Sequence, residues 1–197
     1  MTIPFKKHLN KAETIAVNVK KHWRTVLNFV PIAVNLYDLS IFMSERHVVL
    51  VAPEVHWNTG NIGRTCLGTG AFLHLIQPLG FSLEGKEVKR AGLDYWPRVK
   101  LSVWDDLSSF QEALIPRPSE VVLLSKNGKR PFWQMPAPKR LFLIFGSETK
   151  GLPKIIFQKY PDQSFKIPIN DQIRCLNLST SVGIALYESL RPQINAF

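Results

Sequence analysis

From residue 47 onward, short apolar runs alternate with amphipathic segments and with loops that carry Pro, Gly or Asn. Apolar runs without strict alternation are typical of strands buried on both faces of a parallel sheet. The predicted strands are His47–Ala52, Phe72–Ile76, Val99–Val103, Glu120–Leu124, Leu141–Phe145 and Phe165–Ile169. The predicted helices are Asn61–Thr69, Glu84–Ala91, Asp105–Leu114, Pro153–Gln158 and Leu178–Leu190. The pattern predicts an α/β fold, a mostly parallel sheet flanked by helices, in one domain at residues 47–197.

Residues 1–46 form a basic N-terminal extension with a different pattern. Its apolar positions Ile15, Val19, Trp23, Val26 and Val30 share one helical stripe, which is typical of an amphipathic helix. Three interpretations stay open: an accessory helix, a targeting segment, or a start codon assigned too early. A transit peptide should be rich in Ser and Arg, and this segment is not. We therefore expect a cytoplasmic protein, with organellar targeting as the minor alternative.

The charge of the chain favours a polyanionic partner. The 197 residues carry a formal net charge of +10, so nucleic acid is a better expected partner than an acidic protein. Polar residues and a proline interrupt the most apolar stretch, residues 26–43, which argues against a membrane span. Cys66 and Cys175 are too few for a disulfide framework and lack a metal-binding pattern. We predict no metal, and we expect both thiols to be small buried side chains.

The stretch NTGNIGRT at residues 58–65 follows the first predicted strand, where ligands collect in parallel sheets. Its glycines predict a tight turn, and Asn58 or Asn61 is a candidate cap for the following helix. The sequence matches neither the dinucleotide fingerprint nor the phosphate-binding loop. Arg64 near a helix start opposes the helix dipole, so a structural role explains its position poorly and a phosphate contact would explain it. The alternative is an ordinary solvated arginine.

A second segment, residues 141–153, runs from a buried strand into a loop that places Glu148 between two glycines. Flanking glycines let the backbone itself line a ligand pocket. The alternative is that Glu148 is simply an acid near a helix N-terminus, because Pro153 suits the first helical position.

A third segment, residues 174–182, leads into the last predicted helix. Asn177 and Ser179 are natural N-caps, and Leu178 and Val182 begin the buried stripe of that helix. Capping explains one polar side chain of this cluster but not all of them.

In this order, NTGNIGR, FGSETKGLP, and IPI followed by RCLNLSTSV resemble the three signature motifs of the SPOUT superfamily of RNA methyltransferases. The intervening QPLGF and KRAGLDY are similar to its compact TrmL-like branch. That branch methylates the ribose 2'-hydroxyl of the wobble nucleoside of tRNA. The similarity spans about residues 47–191 and omits the extension.

The resemblance implies a C-terminal trefoil knot that holds S-adenosyl-L-methionine, a homodimer that completes each site, and no metal. The implied cofactor-binding residues are Leu124, Gly146, Ile167, Cys175 and Leu176. The implied catalytic residues are Arg64, Asn58, Glu148, Asn177 and Ser179. A guanidinium group holds its proton firmly, so we expect Arg64 to act electrostatically, with an RNA phosphate accepting the proton. Two positions depart from the pattern, Cys175 for a common Ser and Ser147 for a common Pro.

The predicted function is an S-adenosylmethionine-dependent tRNA 2'-O-methyltransferase that acts on the wobble cytidine or uridine. One alternative is a 2'-O-methyltransferase for another position of tRNA or ribosomal RNA. The other is an RNA-binding protein that keeps the fold without activity, because fold does not fix function. The candidate contacts to RNA phosphates are Lys86, Lys89, Arg90, Lys129 and Arg130.

Overall fold

The computed structural model describes residues 44–83 and 95–194. The first 43 residues of the extension, the predicted helix Glu84–Ala91, and Lys86, Lys89 and Arg90 therefore lie outside the described residues. Within the described ranges, no helix is long and apolar enough to cross a membrane.

The described chain alternates strands and helices in the order that the sequence predicts. The strands are β1 (Glu45–Val51), β2 (Phe72–Ile76), β3 (Lys100–Trp104), β4 (Val121–Leu124), β5 (Arg130–Pro131), β6 (Arg140–Phe145) and β7 (Ser164–Lys166). The α-helices are α1 (His56–Thr69), α2 (Leu107–Leu114), α3 (Lys154–Lys159) and α4 (Leu178–Ile194). A short 3-10 helix, Trp96–Arg98, precedes β3.

All seven strands form one parallel sheet in the order β3-β2-β1-β6-β4-β7-β5. The predicted α/β fold with a parallel sheet is confirmed. The strand predicted at Phe165–Ile169 is too long: β7 ends at Lys166, because β5 offers it only two partner residues and Pro168 has no backbone N–H. Sequence reasoning missed β5, a two-residue strand that contains Pro131.

Alternate residues of β1 enter the two halves of the core. Val48 and Leu50 pack with Val182, Ala185 and Leu186, so this face of the sheet is covered by α1 and α4. Val49 and Val51 pack in a second cluster with residues of α2 and α3, such as Phe110 and Ile156. The predicted buried stripe of α4 is confirmed at Val182, Ala185 and Leu186, which are fully buried, while Leu178 is half-buried.

Arg46 ties the start of β1 to the C-terminal half of the chain. Its side chain is buried, with 2% of its surface exposed. Nε donates to Ser189 Oγ at 3.2 Å, Nη2 to the Ser189 carbonyl at 3.0 Å, and Nη1 to the Pro138 carbonyl at 3.0 Å. Burial lowers the pKa of Arg46 to about 10. The guanidinium group thus satisfies its donors with neutral oxygens of two distant segments.

His47 and His74, here named the histidine pair, are buried on the opposite face of the sheet. Trp104 Nε1 donates to His74 Nδ1 at 3.1 Å, so the proton of neutral His74 lies on Nε2. His74 Nε2 in turn donates to His47 Nδ1 at 3.0 Å. The remaining His47 N–H faces Glu45 at 3.6 Å, within ion-pair range but too long for a hydrogen bond. Burial first, and the charge of His47 second, lower the pKa of His74 to about 3.

Candidate functional site

Helix α1 begins five residues earlier than the sequence predicts, at His56, and its N-cap Val55 makes no side-chain cap. Asn58 is therefore inside the first turn rather than at the cap, and Arg64 lies in the middle of the helix. The predicted tight turn at Gly60 and Gly63 is wrong for the same reason. Tertiary packing outweighs the low helix propensity of this segment, and the helix dipole no longer bears on Arg64.

The two glycines serve close packing within α1. The Tyr95 hydroxyl donates to the carbonyl of Gly60 at 2.9 Å, which brings the segment before β3 against the helix. A Cβ on Gly63 would lie 2.4 Å from Trp96 Cζ3, so no larger residue fits there without movement of the indole ring. Both contacts fix the face of α1 that carries Arg64.

A chain of hydrogen bonds joins the three sequence segments. Asn58 Nδ2 donates to Glu148 Oε1 at 2.9 Å, and Asn177 Nδ2 donates to Asn58 Oδ1 at 2.9 Å. Ser179 Oγ donates to Asn177 Oδ1 at 2.7 Å. We call Glu148, Asn58, Asn177 and Ser179 the site network. The four residues predicted with Arg64 at the catalytic site are thus linked in one chain of hydrogen bonds.

The donor-to-acceptor direction of the hydrogen bonds in the network is fixed by the groups at its ends. The carboxylate of Glu148 only accepts, so Asn58 must turn its NH₂ group toward it and its oxygen toward Asn177. Asn177 then donates to Asn58, and its own oxygen accepts from the backbone N–H of Ser179 at 2.8 Å. The prediction that Asn177 caps α4 is confirmed by that bond.

A reciprocal clasp of two glutamates holds the loop after β1 against the loop after β6. The Glu54 N–H donates to Glu148 Oε2 at 2.8 Å, while Thr149 donates its N–H and hydroxyl to the Glu54 carboxylate at 3.1 and 2.6 Å. Gly151, at φ +69°, closes the turn that carries Glu148 and Thr149. Glu148 is therefore not an acid at the N-terminus of α3, the alternative interpretation of its position.

The clasp lies at the topological switch point of the sheet. From β1 the chain builds outward through β2 and β3 on one side, and β6, β4, β7 and β5 lie on the other. The carboxyl ends of β1 and β6 diverge into the loops that carry Glu54 and Glu148. Ligands of open α/β sheets bind in the crevice at such a point.

Arg64 lies beside a pocket on the β2 side of this point. Its side chain is exposed, and its Cζ lies 4.7 Å from the ring centroid of Tyr95. The pocket has a volume of about 220 Å³, and its walls include His56, Trp57, Phe81 and Trp96.

The predicted cofactor-binding residues lie on the other side of the switch point. Leu124 ends β4, Gly146 follows β6, and Ile167 follows β7, and these strands are neighbours in the sheet. A Cβ on Gly146 would lie 2.0 Å from the carbonyl carbon of Gly151, so the backbones touch there. Cys175 and Leu176 lie in the loop before α4. The structure brings the first three residues to one edge of the sheet.

The two cysteines differ, so one part of their prediction is wrong. Cys66 is fully buried in α1, and burial raises the pKa of its thiol to about 12. Cys175 is exposed, because it precedes α4 in the loop that leaves the sheet. No group of three or more His, Cys, Asp and Glu side chains in the described ranges could hold a metal ion.

Two side chains predicted to contact RNA phosphates, Lys129 and Arg130, also make contacts within the protein. Lys129 Nζ donates to the Pro161 carbonyl at 2.9 Å, and Arg130 lies over the ring of Phe165 at 4.3 Å. Lys129 is nevertheless 66% exposed at its side chain, so it can turn outward to bind a phosphate.

Sequence reasoning missed Glu54 and the aromatic walls of the pocket. Glu54 directly follows the first predicted strand, so its position at the carboxyl edge was a usable signal. Nothing in the sequence pattern distinguishes Trp57 or Trp96 from ordinary core residues.

Comparison with known proteins gives a consistent result. The SpoU rRNA Methylase family model matches residues 45–187. A Listeria monocytogenes protein, provisionally named tRNA (cytidine(34)-2'-O)-methyltransferase, is 47% identical over 151 residues, which are 75% of this chain and 88% of that protein. A solved structure described as giving insights into the 2-OH methylation of C/U34 on tRNA is 40% identical. It has a TM-score of 0.71 and covers 78% of this chain and 99% of its own.

A more distant solved structure shares the fold alone. AviRb from Streptomyces viridochromogenes in complex with AdoMet is 19% identical, with a TM-score of 0.65 over 75% of this chain and 57% of that chain. The family match includes β1, the site network and most of α4. The chain belongs to the SpoU methylase family of SPOUT RNA methyltransferases.

Proposed function

We propose that this protein is an S-adenosylmethionine-dependent tRNA methyltransferase that methylates the ribose 2'-hydroxyl of the first anticodon nucleotide, a cytidine or a uridine. The observation that carries the proposal is the site network, which joins three distant segments at the switch point and includes Asn58 of α1, the helix that also carries Arg64. The relatives at 40–47% identity, named for methylation at nucleotide 34, support the substrate.

The edge formed by Leu124, Gly146 and Ile167 suits S-adenosylmethionine, which supplies the methyl group when bound. The groups available at this edge are mainly backbone amides and apolar side chains, which match a neutral adenine better than a phosphate. Leu124 is 7% exposed and Ile167 is half-buried, so they would bind through backbone groups. Cys175 and Leu176 complete this set.

Arg64 orients the RNA and stabilises charge at the reacting oxygen. A guanidinium group offers donors and no acceptor, so Arg64 cannot take the proton of the 2'-hydroxyl itself. It would instead bind a phosphate of the target nucleotide, and that phosphate would accept the 2'-hydroxyl proton. The methyl group would pass from the sulfonium of the methyl donor to the 2'-oxygen, and the sulfur would keep the electron pair of the broken S–C bond. The site network holds the surrounding loops so that the oxygen and the methyl group approach in line.

The proposal includes a homodimer and a trefoil knot. Arg64 lies with the pocket on the β2 side of β1, whereas the cofactor edge lies on the β6 side. The Arg64 of one subunit and the cofactor edge of its partner can therefore compose one site. The knot would form where residues 167–177 lead from β7 into α4, next to that edge.

The test compares Arg64→Ala with the wild type and with Arg191→Ala. Arg191 is an exposed control on α4, whose guanidinium group pairs with Glu188 at 2.8 Å. We expect R64A to lower methyl transfer to tRNA by roughly 10²- to 10³-fold, with S-adenosylmethionine affinity measured by calorimetry unchanged. R191A should retain transfer. Near-normal turnover by R64A would remove Arg64 from the mechanism.

The position of methylation needs its own control. A tRNA with a 2'-deoxyribose at the first anticodon position lacks the target oxygen, so we expect it to receive no methyl group from the wild-type protein. Continued methylation of that tRNA would move the target to another nucleotide.

A further inference from the structure

The pocket beside Arg64 is separate from the predicted cofactor edge. It is enclosed by the first turns of α1, the loop after β2 and the segment before β3, all on the β2 side of the switch point. Its volume of about 220 Å³ is below the range of roughly 300–1,000 Å³ that is usual for drug-sized ligands and cofactors. A single flat ring system is a better match to this space.

Most of the aromatic rings of the pocket already have partners. The Tyr95 ring lies against the guanidinium group of Arg64, and its hydroxyl bonds to Gly60. Trp96 lies against Gly63. Trp57 differs, because its side chain is 62% exposed while its ring lies 4.2 Å, centroid to centroid, from that of His56. Its indole ring thus packs on His56 and has exposed surface on which a ring of a ligand can stack.

His56 adds a polar group to the same wall. Its Nε2 is buried and has no hydrogen-bond partner within the described part of the chain. Buried ring nitrogens normally have a partner, and the edge of a nucleobase offers donors and acceptors in the required plane. Arg64 at the rim supplies the positive charge that a sugar–phosphate backbone needs.

We propose that this pocket receives the unpaired base of the target nucleotide, stacked on Trp57, with Arg64 on the adjoining phosphate. The proposal rests on the proposed function, because it assigns the base whose ribose is methylated. Aromatic rings interleaved with arginine recognise unstacked bases of RNA loops, whereas the bases of a paired stem cannot enter. The substrate class is therefore a nucleotide in a single-stranded loop.

The test uses three variants of the full chain: Trp57→Ala, Trp57→Phe and Trp133→Ala. Trp133 is the matched control, since its side chain is 61% exposed and lies outside the pocket. With a wobble stem-loop RNA, we expect W57A to raise KM roughly 10- to 100-fold, with kcat little changed. W57F keeps a stacking ring and should stay within about threefold of the wild type. W133A should match the wild type.

Several outcomes would overturn this proposal. One is an unchanged KM for W57A, and another is an equal effect of W133A, which would indicate a general loss of surface contact. A lower molecular mass of W57A by light scattering would assign the pocket to contact between subunits.

RNA affinity by fluorescence anisotropy without methyl donor separates this proposal from the proposed function. If the wild type binds the loop and W57A does not, the proposed base pocket is supported. This holds even if the wild type does not methylate the wobble ribose, a result that would contradict the proposed function. If the wild type methylates that ribose and W57A binds the loop equally well, only the pocket fails.

Discussion

The site network and the histidine pair are both chains of hydrogen-bonded polar side chains that lead to a glutamate, and they differ in access. The histidine pair is 3–6% exposed and lies among aromatic rings, with Phe72 and Phe142 stacked on His47 at 4.8 and 4.4 Å. In the site network, Glu148 and Ser179 are half-buried and Asn177 is exposed.

The two chains also differ in what they connect. His47 and His74 lie on neighbouring strands, 27 residues apart, whereas Asn58 reaches residues 90 and 119 positions away. A strongly lowered pKa is a common sign of a functional group, and here it marks the histidine pair. For that pair the main cause of the lowered pKa is burial in the core, with a smaller contribution from neighbouring charges. Access and position at the switch point are the properties on which we propose the site network, rather than the histidine pair, as the functional chain.

The largest expected effect is a loss of activity when the site network is broken. Glu148→Ala removes the acceptor for Asn58 and for the Glu54 N–H, which frees two loops at the site. We expect methyl transfer to fall by roughly 100-fold, since small displacements of a catalytic constellation have effects of this size. Steady-state kinetics on tRNA measures it, and circular dichroism checks that the variant stays folded. Transfer within a few fold of wild type would make Glu148 a surface carboxylate.

A smaller effect concerns pH and belongs to the histidine pair. The pKa of His74 is lowered to about 3 in the folded state, so the unfolded chain takes up the proton first as the pH falls. The stabilising contribution is complete above the ordinary histidine pKa of about 6.5 and is lost toward pH 3. Between about pH 7.5 and 5.5, the free energy of unfolding should fall by about 1.4 kcal/mol from His74. The lowered pKa of His47 adds to this loss.

Urea titrations at the two pH values measure this loss, with His74→Phe as the control. That variant removes the titrating ring and should show a smaller change with pH. An equal change in His74→Phe would assign the pH dependence to other groups.

The smallest effect tests one bond of the site network. Asn177→Asp keeps the oxygen that caps α4 and loses the NH₂ group that donates to Asn58. Because one such bond contributes about 1 kcal/mol, we expect transfer to fall about fivefold while the melting temperature hardly changes. Asn177→Ala also loses the cap and should cost about 1 kcal/mol of stability. Equal activity of Asn177→Asp and wild type would reduce Asn177 to its capping role.

The strands could largely be predicted from the sequence because four of the six predicted runs are buried on both faces and read as continuous apolar segments. The start of α1 could not, because Asn58, Gly60 and Asn61 are turn residues whose helical state depends on contacts with Tyr95 and Glu148. The members of the site network were predicted through motif resemblance. Their mutual bonds were not, because separations of 90 and 119 residues leave no local pattern.

The buried guanidinium group of Arg46 has a consequence for synthesis of the chain. Its partner Ser189 is 143 residues further along, so the ribosome makes the donor long before the acceptor. At roughly 5–20 residues per second, the interval is on the order of 10 s. For most of this time β1, an inner strand of the sheet, also lacks its neighbour β6. We expect the nascent domain to stay open until its last helix emerges, so a ribosome stalled before residue 189 would hold a domain in which Arg46 still lacks its partner.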